Sequence, residues 1–150
     1  MSSDELRETL IANGFKWTAP LEEAARLYGV QVIKYRRFRE VPDTMEFFSP
    51  PLIIHSKRAH GIYDDMRRFT GEEIAPIGTC ERRHVDLMLT ESGRLFGYAD
   101  NLMLTWGPPH ADWKVSLARL LAGEEAADRG LADPDEGEEP ATWLRGQASG

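Results

Sequence analysis

A single cysteine, Cys80, stands in 150 residues. No disulfide can close within the chain, and a reducing compartment is expected, the cytoplasm being the simplest. No apolar run approaches the ~18–20 residues a membrane-spanning helix needs, so no membrane partner is expected. The opening Met1-Ser2-Ser3-Asp4-Glu5 is acidic and lacks the basic-then-apolar profile of a signal peptide. There is no internal repeat, no HExxH and no paired-cysteine motif. A Gly-rich phosphate cradle is missing too: Gly93 and Gly97 are spaced as hairpin glycines and precede a strand, not a helix.

What is present is an ordinary globular composition, 41% hydrophobic and 29% charged, at a length that favours one domain with a core of its own. The net charge of -7 is unevenly placed. Glu124 to Pro140 holds eight acidic residues and one basic, which accounts for all of it; the rest carries 17 of each sign. The expected organisation is a folded domain over 1–123 and an acidic tail over 124–150, too polar to offset its ordering entropy, with Trp143-Leu144 as a lone apolar pair.

The residues from Gly71 to Gly107 are the most informative. Val85, Leu87 and Leu89 alternate with His84, Asp86, Met88 and Thr90, the period of a half-buried strand. Glu91-Ser92-Gly93 turns the chain, Arg94 to Tyr98 returns, and Leu102, Leu104 and Trp106 continue. The segment 74–106 reads as an antiparallel meander. Upstream, Ser2 and Glu5 are spaced as a capping box for a helix over Ser2 to Leu10, ended by Gly14. A second helix starts after Thr18, runs through Tyr28 and stops at Gly29. Val30 to Phe38 reads as an edge strand, since Arg36, Arg37 and Arg39 discourage further pairing. Met45 to Phe48 reads as another strand. Ala59 to Phe69 reads as a helix with Ile62, Met66 and Phe69 on its buried face. Pro108-Pro109 opens a last helix carrying the stripe Trp113, Leu117, Leu120 and Leu121. The fold class is α+β: a single domain with a central antiparallel sheet flanked by helices.

Candidate chemistry is thin. His60 and Asp64 lie at i, i+4 with His55 nearby, but a solvated ion-pairing face explains them more simply than a metal site. Cys80 and His84 fall at the two ends of a turn, and a structural thiol is the plainer reading. The cations from Lys34 to Arg39 divide between the two faces of a strand, and with a pI near 5.1 nucleic-acid binding is not expected. Neither an enzymatic activity nor a cofactor is expected.

The order of several local signatures resembles the SUKH superfamily of bacterial immunity proteins, its third subfamily most. They are Leu27-Tyr28-Gly29-Val30, Phe47-Phe48-Ser49-Pro50, and Thr70 to Gly78 ending in Pro76-Ile77-Gly78. Glu91-Ser92-Gly93-Arg94-Leu95-Phe96, Trp106-Gly107 and Leu120-Leu121-Ala122-Gly123 complete the pattern over Leu21 to Gly123. The chain departs from it in a short region before Leu21 and in the long acidic tail. The resemblance implies a cytoplasmic binding protein that neutralises a secreted bacterial toxin, nucleases among them, by occluding its active site. A non-enzymatic regulatory or scaffolding adaptor is the alternative. On either reading the contacts come from aromatic and arginine anchors on polar-flanked strands and turns, here Tyr35, Arg37, Arg39, Arg82, Arg83 and Tyr98. The acidic tail could add electrostatic steering toward a basic cleft. Toxin identity, contacting face and oligomeric state stay open at this level.

Overall fold

Ser2 starts the first helix as its spacing predicts. Its Oγ accepts the Glu5 N–H at 3.2 Å, the N-cap half of a capping box, while its hydroxyl lies 3.4 Å from Glu5 Oε1, so the carboxylate meets the Ser2 side chain and not its backbone N–H. The computed structural model describes residues 2–38, 40–48, 60–81, 83–108 and 110–130, and runs this helix, α1, over Ser3–Ala12. Helix α2, Ala19–Leu27, is capped by Thr18 Oγ1 on the Leu21 N–H, with Pro20 in the first turn, where a missing N–H costs nothing. Helix α3 is His60–Thr70 and α4 is Trp113–Leu121. The prolines at 108–109 do not open α4. It begins behind Asp112, whose Oδ1 accepts the Lys114 N–H at 2.9 Å and so satisfies one of the first-turn donors that have no partner within the helix.

Among the described residues seven strands form one open antiparallel sheet, and their order in space is their order in sequence. They are β1 Gln31–Arg37, β2 Val41–Phe47, β3 Ile74–Cys80, β4 Val85–Thr90, β5 Leu95–Ala99, β6 Leu102–Thr105 and β7 Ala127–Gly130. The α+β reading and the 74–106 meander are both present, and among the described residues β1 is an edge strand. Strand β2 is longer than expected because Pro42 and Asp43, early in it, are poor strand formers in isolation. They pair only with β1; β3 meets β2 at Glu46 and Phe47 alone, so Pro42 sits where no second neighbour requires its N–H. Strand β4 is not half-buried: Met88 and Thr90 are as inaccessible as Leu87 and Leu89.

Strand β7 corrects the expectation that the chain is tail from residue 124. Glu124 Oε2 accepts the Gly107 N–H at 2.8 Å and Oε1 accepts from Arg119 Nη1 at 2.8 Å. Those two bonds bring the chain back beside β6, where Ala127 pairs Thr105 and Gly130 pairs Leu102. Acidic side chains signalled solvation, but a β-ladder is made by backbone groups and tolerates them at an edge. Residues 131–150, with Trp143-Leu144, lie outside the described residues.

The core is anchored by aromatics. Tyr28 stacks on Phe47 with ring centroids 4.3 Å apart and meets Trp113 edge-on at 6.2 Å, which places α2 and α4 on the Phe47 face of the sheet. Phe15 meets Tyr63 edge-on at 5.0 Å, tying the α1–α2 connection to α3. The Pro76-Ile77-Gly78 sequence is a β-bulge. No helix among the described residues is long and apolar enough to cross a membrane.

Candidate protein-binding surface

The β1–β2 hairpin pairs seven residues on each side, Gln31 with Phe47 through Arg37 with Val41. Alternation runs from Val32 to Arg37: Ile33, Tyr35 and Arg37 are half-buried, while Val32, Lys34 and Arg36 are exposed. The first set shares the Phe47 face with the helices; the second lies beside Glu46, Thr44 and Pro42 on the opposite face. A shallow groove there is lined by Lys34, Arg36, Pro42 and Thr44 together with Tyr35 and Asp43.

Beneath the hairpin's inner face is a polar cluster. The Tyr35 hydroxyl lies 3.4 Å from Asp43 Oδ2, and the Thr44 N–H donates to Asp43 Oδ1 at 2.8 Å. Asp43 is only 4% exposed, so these contacts matter: a buried carboxylate needs partners. Arg37 Nε is 3.9 Å from Asp43 Oδ2 and Nη1 is 3.7 Å from Glu81 Oε1. The Arg37 guanidinium also lies 5.4 Å from the centre of the Phe38 ring. These separations are ion pairs without hydrogen bonds, and Arg37 Nε is buried with no acceptor in reach.

Cys80 completes the cluster. Burial, helped by Glu81, pushes its thiol up to about 12, against the opposing pull of the Tyr35 hydroxyl and Arg37. At neutral pH it is a buried, protonated thiol, unlike an activated nucleophile. His84, by contrast, is exposed. The Tyr35 phenol is likewise raised far above its ordinary value, by burial first and then by Cys80 and Asp43. The cluster holds the hairpin's inner face; its groups are set to stay protonated or paired.

Of the six residues expected to contact a partner, the four that are described lie on two faces of the sheet. Tyr35 and Arg37 come together on the inner face of β1. Arg83 and Tyr98 lie on the other face, since Tyr98 pairs Asp86, Asp86 pairs Thr79, and Thr79 pairs the Glu46 that Arg83 grips. Arg83 donates from Nε to Glu46 Oε2 at 2.8 Å and from Nη2 to Oε1 at 3.2 Å, a bidentate pair. That contact holds the Glu46 carboxyl below the usual range, with burial opposing. The Tyr98 hydroxyl reaches Asn101 Oδ1 at 3.4 Å. Arg39 and Arg82 lie outside the described residues, as do His55 and the side chain of His60. Asp64 is held by Arg67 at 2.9 Å. Among the described residues no group of three or more His, Cys, Asp or Glu is arranged to hold a metal ion.

What sequence reasoning missed is apolar. Of the seven large hydrophobic side chains exposed among the described residues, four belong to this hairpin or its entry: Val30 (44%), Val32 (58%), Phe38 (47%) and Val41 (38%). Val32 was a signal available in the sequence, two residues before Lys34 on the polar face of a strand; Phe38 was not, because its exposure follows from a positive φ of 54° at the hairpin turn. Searches of protein-family models, curated proteins and solved structures returned no match to this chain.

Proposed function

We propose that this chain is a non-enzymatic binding protein that neutralises a bacterial toxin by covering its active site, working inside the cell that would otherwise be harmed. The observation that carries the reading is the concentration of exposed apolar side chains on the β1–β2 hairpin at an open sheet edge. Isolated exposed apolar residues are ordinary on any surface, but a group of them rimmed by charge marks a contact surface. The cluster of Tyr35, Asp43 and Cys80 underneath supports it by fixing the hairpin before a partner arrives, which lowers the ordering cost of association. The resemblance to SUKH immunity proteins supplies the toxin as the kind of partner. Specific inhibitory complexes bury on the order of 1,600 Å², more than one hairpin offers, so loops beside it would join the contact.

The test is co-expression of the chain with toxin domains encoded beside its gene in a sensitive host. Survival together with a stable complex on size-exclusion chromatography is the expected result. Death of the host with nothing co-purifying overturns the reading.

A further inference from the structure

Strand β1 has β2 on one side and, among the described residues, no strand on the other. Its free side therefore offers unpaired backbone donors and acceptors along seven residues, enough for a partner strand to add to the sheet. Edge strands are commonly protected by charge, and Lys34 and Arg36 would serve that purpose by themselves. Protection does not explain why Val30, Val32 and Phe38 are left exposed on the same strand and its ends. Charge in this pattern selects a partner and does not merely repel one.

The selection has a sign. Val32, Lys34 and Arg36 project from one face at every second residue, with Thr44 and Pro42 as their cross-strand neighbours on β2. Among the described residues no carboxylate engages either cation; Arg36 reaches the Glu40 carbonyl, at 3.5 Å. A second copy of this chain pairing antiparallel about Tyr35 would set Lys34 opposite Arg36, and like charges directly opposite are destabilising. An incoming strand with acidic residues at i and i+2 would instead place each carboxylate beside a cation, its apolar residues between them extending the Ile33–Tyr35 side.

We infer that β1 is a docking edge for an extended acidic segment of a partner protein, a strand in which Asp or Glu alternates with apolar residues. The inference rests on the protein-binding reading above and gives the partner its chemistry. The same two cations disfavour self-association of the chain through this edge, so the free protein stays available for capture.

The experiment uses the full chain, isotope-labelled for NMR, titrated at low salt with a ten-residue peptide alternating glutamate and valine. The same peptide with lysine for glutamate, and one with proline at alternate positions, are the controls. Saturable shifts and slowed amide exchange confined to β1 are expected, weakening as salt is raised. The double variant Lys34→Glu, Arg36→Glu, whose substitutions are exposed and leave the core untouched, should lose acidic-peptide affinity by about tenfold or more and gain affinity for the lysine peptide. No saturable binding, shifts away from β1, indifference to the charge reversal, or equal binding of the proline peptide would each overturn the inference. So would a dimer formed through β1 in sedimentation. Peptide capture without rescue from toxin would retire the neutralising role and keep the docking edge; rescue with no peptide capture would do the reverse.

Discussion

Gly78 lies so close to Glu46 that a Cβ on it would stand 2.3 Å from the Glu46 carbonyl oxygen. The two residues belong to neighbouring registers of the β2–β3 pairing, where the bulge at Pro76 to Gly78 tightens the approach of the backbones. Only glycine fits, and the obstacle is backbone, which cannot rotate aside.

Gly78→Ala should therefore destabilise the fold by about 1–3 kcal/mol or more, the range of an overpacked core site. Urea unfolding followed by tryptophan fluorescence would read it as a lowered midpoint. A midpoint equal to that of the parent chain would mean the two strands separate easily at this seam.

The Arg83–Glu46 pair predicts a pH dependence. Glu46 ionises at lower pH in the folded chain than in the unfolded one, so the unfolded state binds more protons over the intervening range. Its stabilising contribution is complete above the ordinary glutamate value of about 4.3 and is lost as pH falls through the lower, folded value. Stability of the parent and of Arg83→Ala should differ at pH 7 and converge toward pH 3. A difference that holds constant with pH would show that the guanidinium acts by packing alone.

Cys80 should resist thiol reagents. With 1% of its surface accessible and its thiol pushed up to about 12, native protein at pH 8 should react with an aromatic disulfide far more slowly than urea-unfolded protein. Prompt stoichiometric labelling of the native state would mean the β1–β3 cluster opens readily.

Local rules in the sequence carried far because most elements here are local. Capping by Ser2 and Thr18, the turn at Glu91 to Gly93 and the existence of β4 each depend on a few adjacent residues, and all are found, although β4 is buried on both faces and not by alternation. The misses share a different cause. Strand β7 depends on Glu124 meeting Gly107, seventeen residues away, and nothing near Ala127 announces a strand. The first half of β2 depends on β1 as a partner, which overrides the weak preferences of Pro42 and Asp43. The site was legible in composition and not in arrangement. Tyr35, Arg37, Arg83 and Tyr98 are chemically plausible anchors, yet face assignment requires the register across five strands, which no single segment encodes.

The short junction between β2 and β3 has a mechanical meaning. Among the described residues Glu46 and Phe47 of β2 pair with β3, at Thr79 and Gly78, and the Phe48 N–H adds one bond to the Ile77 carbonyl, whereas β1 and β2 pair over seven residues and β3 and β4 over six. The sheet is thus a hairpin joined by a narrow seam to a five-stranded block, and the seam is closed over a long chain segment that includes α3. Protected amides should divide along that line, with β4 exchanging only through global unfolding and β1 through detachment of the hairpin at lower free energy. A partner that added a strand to β1 would slow that detachment, so occupancy of the edge would be felt as tighter closure of a seam on the hairpin's far side.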